Sequence, residues 1–252
     1  MATIIRTATT LFMTFIFFLN VHSQCIEKNK ISYGGNFDNY KYTYFCPTYK
    51  FAFGGDPSKT WNKLNDPIDI NQIASQIFPI KKKVEKQILK YAGRDFLQDL
   101  KFLSVHIVYP DSIEKFANRI PFCNLDSCRA KYFFYYNYSP VENANYHIGI
   151  AVNDNLEIVN KFIFPQKKDF KPIDKNLTIC KLIDISKKFK EQIEPIDKIK
   201  FDYDSESKSF IWIIRQAIVK EKEGLNKINE LIINASNSEM IEIKESGRII
   251  IY

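Results

Sequence analysis

Histidine is scarce in this chain: three in 252 residues, of which His22 falls in the N-terminal leader described below, leaving His106 and His147. A metal centre needs several histidine, cysteine or carboxylate ligands converging at set spacing, and no such cluster surrounds either residue. The sequence therefore points to no metal, no cofactor and no catalytic residue. Glycine is sparse too, at eight residues, and the isolated pairs Gly34-Gly35 and Gly54-Gly55 read as loop punctuation. No glycine-rich loop follows a strand and opens a helix, and no serine sits in a nucleophile elbow, so nucleotide-binding and serine-hydrolase chemistry lack support. The lysine runs Lys81 to Lys83 and Lys187-Lys188 lack arginine clusters. The net charge of +7 then reads as a solvated surface, with no nucleic acid as partner.

Long apolar runs are absent beyond the leader, so no transmembrane segment is expected in the mature chain. The leader itself has Arg6 followed by the apolar stretch Leu11 to Leu19 and the ending Val21-His22-Ser23. That pattern is a secretory signal peptide over 1–23 with cleavage after Ser23, which places the product outside the cytosol, secreted or periplasmic. Cleavage leaves Gln24 followed by Cys25. A lipid-modified Cys25 is the rival reading, opposed by the bulk of Gln24.

Five cysteines in an oxidising compartment permit disulfides but cannot all pair within one chain. Cys123 and Cys128 enclose a short loop and form one candidate pair. Cys25 and Cys46, which would pin the N-terminal arm, form another. Cys180 is left over and reads as a buried apolar thiol.

Periodicity gives the same order of elements twice. In the first copy, Val84, Ile88, Ala92, Phe96 and Leu100 form one inward stripe of a helix near 81–100. Strands follow at Leu103 to Tyr109 and Tyr132 to Tyr138, then a hairpin of His147 to Val152 with Leu156 to Phe164 across Asn153-Asp154-Asn155. The second copy opens with the stripe Leu182, Ile185, Phe189 and Ile193, ended by Pro195. Ile199, Phe201 and Tyr203 alternate with Lys200 and Asp202 as a strand with one wet face. Phe210 to Val219 reads as a central strand covered on much of both faces. Glu230 to Asn234 and Glu239 to Lys244 form the matching hairpin, and a last strand, Arg248 to Tyr252, turns back after Ser246-Gly247.

The expected organisation is an aromatic, β-rich arm at 24–78, a first α+β unit at 79–165 with an insertion at 111–130, and a second unit at 166–252. The fold class is α+β, with two helix-on-antiparallel-sheet units in tandem after the arm. Within the arm, Tyr40, Tyr42 and Tyr44, then Tyr49, Phe51 and Phe53, alternate as two strands. Asp66-Pro67 starts a short helix whose inward positions are Ile70, Ile73, Ala74 and Ile77, stopping before Pro79.

The helix Leu182 to Glu191, the segment Phe210-Ile211-Trp212-Ile213-Ile214 and the stretch from Glu230 through Asn234-Ala235-Ser236-Asn237-Ser238 to Ile241 together resemble a PepSY-type, cystatin-like unit. Asn234 stands where aspartate is usual there, and Ser238 where glycine is usual. The likeness spans about seventy residues and extends more loosely to Tyr146 to Phe164. It implies an extracytoplasmic binding or inhibitory module of the kind often found with proteases.

The function expected is therefore non-catalytic binding of a protein or peptide, with an edge strand as one mode of recognition. Tyr40, Tyr42, Tyr44 and Tyr49 are the candidate binding residues, as a stacking platform competing with plain core packing. Two other classes stay open: an extracytoplasmic hydrolase pairing one of Cys46, Cys123, Cys128 or Cys180 with His106 or His147, and an envelope-associated structural protein resembling the C-terminal domain of TonB-type transducers. The acidic pairs Asp95/Asp99 and Asp202/Asp204 read as solvated faces. Asn137-Tyr138-Ser139, Asn176-Leu177-Thr178 and Asn234-Ala235-Ser236 match the N-glycosylation pattern.

Overall fold

A computed structural model describes residues 25–36, 70–107, 131–218 and 224–250. Residues 1–24, with the expected leader, and the candidate binding residues Tyr40, Tyr42, Tyr44 and Tyr49, together with Cys46, Cys123 and Cys128, lie outside the described residues. In chain order the elements are a 3-10 turn at Lys28–Lys30, β1 (Ile31–Asn36), α1 (Ile70–Ala92), α2 (Arg94–Gln98), β2 (Leu100–Ile107), β3 (Tyr132–Tyr138), β4 (Tyr146–Val152), α3 (Ile179–Ser186), a 3-10 turn at Lys187–Phe189, α4 (Lys190–Ile193), β5 (Ile196–Asp204), β6 (Ser209–Gln216), β7 (Gly224–Asn234) and β8 (Asn237–Ile250).

These strands form one eight-stranded mixed sheet in the order β2-β3-β4-β1-β5-β6-β7-β8, which overturns the expected pair of separate helix-on-sheet units. Two antiparallel blocks do exist, β2-β3-β4 and β5-β6-β7-β8, but β1 lies between them and runs parallel to both neighbours. Its first half pairs with β5, Ile31 opposite Ile199 and Tyr33 opposite Phe201. Its second half pairs with β4, Gly34 opposite Tyr146 and Gly35 opposite His147. The glycine pair read as loop punctuation is thus the point where the central strand changes partner.

Local chemistry explains most elements. The stripe Val84, Ile88, Ala92 and Phe96 is buried as its spacing requires. The helix divides at Gly93, whose φ of 92° is accessible to glycine at little cost. Upstream, α1 continues through Pro79, where a stop was expected. Ile77 and Ile80 on either side are both buried, so packing holds the helix across a residue that cannot donate its backbone bond. Thr178 caps α3 through its hydroxyl, which accepts from Lys181 N–H at 3.3 Å.

Three other expectations are corrected. The segment Leu156 to Phe164 is no second hairpin limb: only an isolated bridge joins Val152 and Ile158. Asn160 fills the β4 edge instead, Oδ1 accepting from Ala151 N–H and Nδ2 donating to the Gly149 carbonyl, each at 2.8 Å. No chain reversal occurs at Ser246-Gly247. β8 runs straight on, with Gly247 opposite Lys227 and Arg248 opposite Asn226. Cys180 is bonded to Cys25 across a sequence separation of 155, so it is neither unpaired nor an apolar thiol, and Cys25 is not joined to Cys46.

The core is continuous across both blocks. Phe96 stacks on Tyr138 at 4.5 Å, Tyr138 on Phe210 at 4.8 Å and Phe210 on Phe201 at 5.1 Å, with Trp212 against Phe201 at 5.0 Å. The column links α2, the first block and the second, which is why the two halves cannot bury their cores separately.

Candidate functional site

On β6 the side chains alternate strictly. Phe210, Trp212 and Ile214 are buried in the core, and Ile211 and Ile213 lie on the opposite face. The same face of β7 carries Ile232, directly opposite Ile213. Next to it β8 presents Glu242 opposite Ile232 and Lys244 opposite Glu230. An antiparallel sheet with one solvated face ordinarily shows polar residues there, so this run of isoleucines departs from the expected pattern.

The departure coincides with an open cleft of about 410 Å³ at the end of the β5-β6 and β7-β8 hairpins. Its lining includes Ile211, Ile232 and Met240 together with Asp204, Glu239, Glu242 and Lys244, and also Ile241, which stands opposite the buried Ile233 and packs against the core. Met240 is 57% exposed. Asp204 accepts from the backbone N–H of Glu206 at 3.2 Å and of Ser207 at 3.0 Å. Hydrogen bonding from Ser207, chiefly through its side chain, holds the Asp204 carboxyl below the usual value of 3.8. Lys244 bridges to Glu242 at 3.3 Å and its charge also reaches Asp204, but the lining holds three carboxylates, Asp204, Glu239 and Glu242, against this one lysine, so the cleft is acidic.

The cleft adjoins an edge. Among the described residues β8 pairs only with β7, so the opposite side of this fourteen-residue strand offers backbone donors and acceptors to a further strand. The other edge, β2, has eight residues. A strand added along β8 would place its own side chains beside Met240, Glu242 and Lys244.

The residues singled out from sequence are distributed elsewhere. His106 stands opposite Phe133 in the β2-β3 ladder. His147 lies on the outer face of β4, its ring 5.4 Å from that of Tyr33 on β1, and burial lowers its pKa. Asp202 accepts from Gly35 N–H at 3.1 Å and from Tyr203 N–H at 2.9 Å, and pairs with Lys200. Asp202 and Asp204 are thus each engaged by backbone amides. Burial raises the pKa of Asp99, which follows α2. Cys25 and Cys180, as a disulfide, offer no thiolate to either histidine. Among the described residues no group of three or more histidine, cysteine or acidic side chains could hold a metal ion, and no helix is long and apolar enough to cross a membrane.

Sequence reasoning missed Ile211, Ile232 and Met240. The usable signal was the uniform apolarity of β6, which was assigned to cover on both faces instead of to an accessible floor. Comparison of the chain with protein-family models, with curated proteins and with solved structures finds no match.

Proposed function

We propose that this protein works outside the cytosol as a non-catalytic binding protein that takes an extended protein segment along the outer edge of β8. The observation that carries the reading is the joining of a fourteen-residue edge, unpaired on its outer side among the described residues, to an apolar cleft whose lining includes Asp204 and Glu239. Backbone hydrogen bonds to β8 supply affinity, and the cleft selects a side chain that is apolar along its stem and cationic at its tip. Lysine and arginine have that form. The exposed Cys180 in the Cys25–Cys180 disulfide supports an oxidising compartment, in line with the leader. The PepSY likeness points to binding as well.

A library of extended peptides offered to the purified protein tests the reading. Peptides carrying alternating apolar and basic residues are expected to be retained, with at least a tenfold loss of affinity on N-methylation of alternate backbone amides. Met240→Asp and the double change Glu239→Lys with Glu242→Lys should each weaken binding similarly. Retention of acidic peptides, or indifference to N-methylation, would sink strand addition at β8.

A further inference from the structure

Three stretches fit the Asn-X-Ser/Thr pattern, and the fold treats them differently. Asn137 lies inside β3, opposite Lys101 on one side and His147 on the other. Its Nδ2 donates to Ser139 Oγ and to Asn145 Oδ1, each at 2.6 Å. A sugar on Nδ2 removes one of those hydrogens and needs the space that Asn145 occupies. Asn234 is 8% exposed. Its Oδ1 accepts from the N–H of Ser236 at 2.9 Å and of Asn237 at 3.1 Å, closing the β7-β8 turn, so a glycan there requires that turn to open.

Asn176 differs on every count. It is exposed, in the turn ahead of α3. Its backbone N–H donates to Asp174 Oδ1 at 2.9 Å, while its side-chain amide makes no hydrogen bond with any described residue. Thr178, which completes the pattern, is exposed as well and already has the extended backbone of an N-cap. Cys180, two residues further, is exposed and held in the disulfide to Cys25. Such a bond belongs to the oxidising compartments of the secretory route, where asparagine glycosylation also takes place.

We propose that Asn176 is an N-glycosylation site and that Asn137 and Asn234 in the folded protein are not. The inference rests on translocation of the chain, as the leader implies, and is independent of what β8 binds. The donor is a lipid-linked oligosaccharyl diphosphate, used by a membrane transferase. A bond forms between Asn176 Nδ2 and the first sugar carbon, and the bond from that carbon to the diphosphate oxygen breaks. The lipid diphosphate leaves with the electron pair, the amide proton is released, and nothing is oxidised or reduced. The Thr178 cap is untouched.

The full chain, produced in N-glycosylating eukaryotic cells behind a host leader so that translocation does not depend on residues 1–23, provides the test. Secreted and microsomal fractions are treated with peptide N-glycosidase, which converts a glycan-bearing asparagine to aspartate, and mapped by mass spectrometry. Conversion is expected at Asn176 alone, with one mobility shift that disappears in Asn176→Gln and persists in Asn234→Gln. An unmodified Asn176 in both fractions overturns the proposal, as does a glycan on Asn137 or Asn234 in chains that carry the Cys25–Cys180 bond.

Discussion

Cys25 is bonded to Cys180, and this bond anchors the chain just before β1 to the first turn of α3. β1 is the strand on which both blocks of the sheet depend, and besides this bond it is held by short ladders to β4 and β5 and by a few side-chain contacts to the same strands, Gly35 N–H to Asp202 and Tyr33 against His147 among them. Closing a loop of 155 residues removes denatured-state entropy worth about 5 kcal/mol on the chain-entropy account. Cys25→Ser with Cys180→Ser should therefore lower stability by several kcal/mol, read as the urea midpoint, and wild type under reductant should fall to the same level. Equal midpoints for the oxidised wild type and the double variant would remove the bond from the account of how β1 is held.

The hand-over of β1 from β5 to β4 needs a residue without a side chain. A Cβ on Gly34 would stand 2.0 Å from the Phe201 carbonyl oxygen and 2.7 Å from the Asp202 Cα, both backbone atoms of the neighbouring strand. Gly224 has a φ of 89° but nothing within 4 Å of its added Cβ. Gly34→Ala should cost at least about 3 kcal/mol, because two strands must separate. Gly224→Ala should cost only about 1–2 kcal/mol of backbone strain. Thermal midpoints of the two variants rank these effects, and the reverse order would contradict the close approach.

The aromatic column predicts how the molecule unfolds. Phe210 touches Tyr138, Tyr146, Phe201 and Tyr203, from both blocks at once. Phe210→Ala should cost about 3–5 kcal/mol and move one single transition, seen alike by near-ultraviolet and far-ultraviolet dichroism. Two transitions, with only the later block shifted, would mean that the halves fold apart.

Much of this was legible from side-chain period and little from pairing. β3 has the bounds that its aromatic run indicated, Tyr132–Tyr138, and most inward residues of the helices and of β5 follow their spacing because each local face must be buried, though Leu100, the last of the first helical stripe by spacing, opens β2 instead. The insertion of β1 was not legible. Ile31-Ser32-Tyr33-Gly34-Gly35-Asn36 is short and two-thirds glycine and polar, and its strand character comes from partners more than a hundred residues away. Period says which face of a strand is wet and is silent about its neighbour in the sheet. The same silence hid the candidate cleft, since Ile211 and Ile232 meet only through the β6-β7 register. The Cys25–Cys180 bond was concealed for a related reason: proximity in sequence favoured Cys46, and the fold brings in α3.

Two buried tyrosines should respond oppositely to loss of their hydroxyls. Tyr146 donates to the Ile163 carbonyl at 2.5 Å, whereas the Tyr138 hydroxyl is buried with no hydrogen-bond partner among the described residues. Burial pushes both phenols up in pKa, so each is neutral at ordinary pH. Tyr146→Phe should destabilise by about 1–2 kcal/mol as the Ile163 carbonyl loses its donor. Tyr138→Phe should be neutral or stabilising by up to about 1 kcal/mol, since an unpaired polar group leaves the core. Denaturant midpoints with unchanged slopes would verify the pair. A costly Tyr138→Phe would reveal a partner for that hydroxyl.

His147 sets a pH dependence whose sign follows from its burial. Desolvation lowers its native pKa below the 6.5 of an exposed imidazole, so the unfolded chain takes up a proton at higher pH than the folded one does. Between those two values ν of the unfolded state exceeds ν of the native state, and stability falls as pH falls, by at most about 1.4 kcal/mol per pH unit for one group. Above about pH 6.5 the contribution is complete. The lowered carboxyls Asp184 and Asp204 titrate below 3.8 and so act outside this window. Asp99, raised by burial, contributes the opposite sign as it protonates. Subtracting a His147→Gln profile isolates the imidazole: the wild-type urea midpoint should decline from about pH 7.5 to about pH 5.5 more steeply than that of the variant. Parallel profiles would mean that the ring, tilted against Tyr33, accepts its proton as readily folded as unfolded.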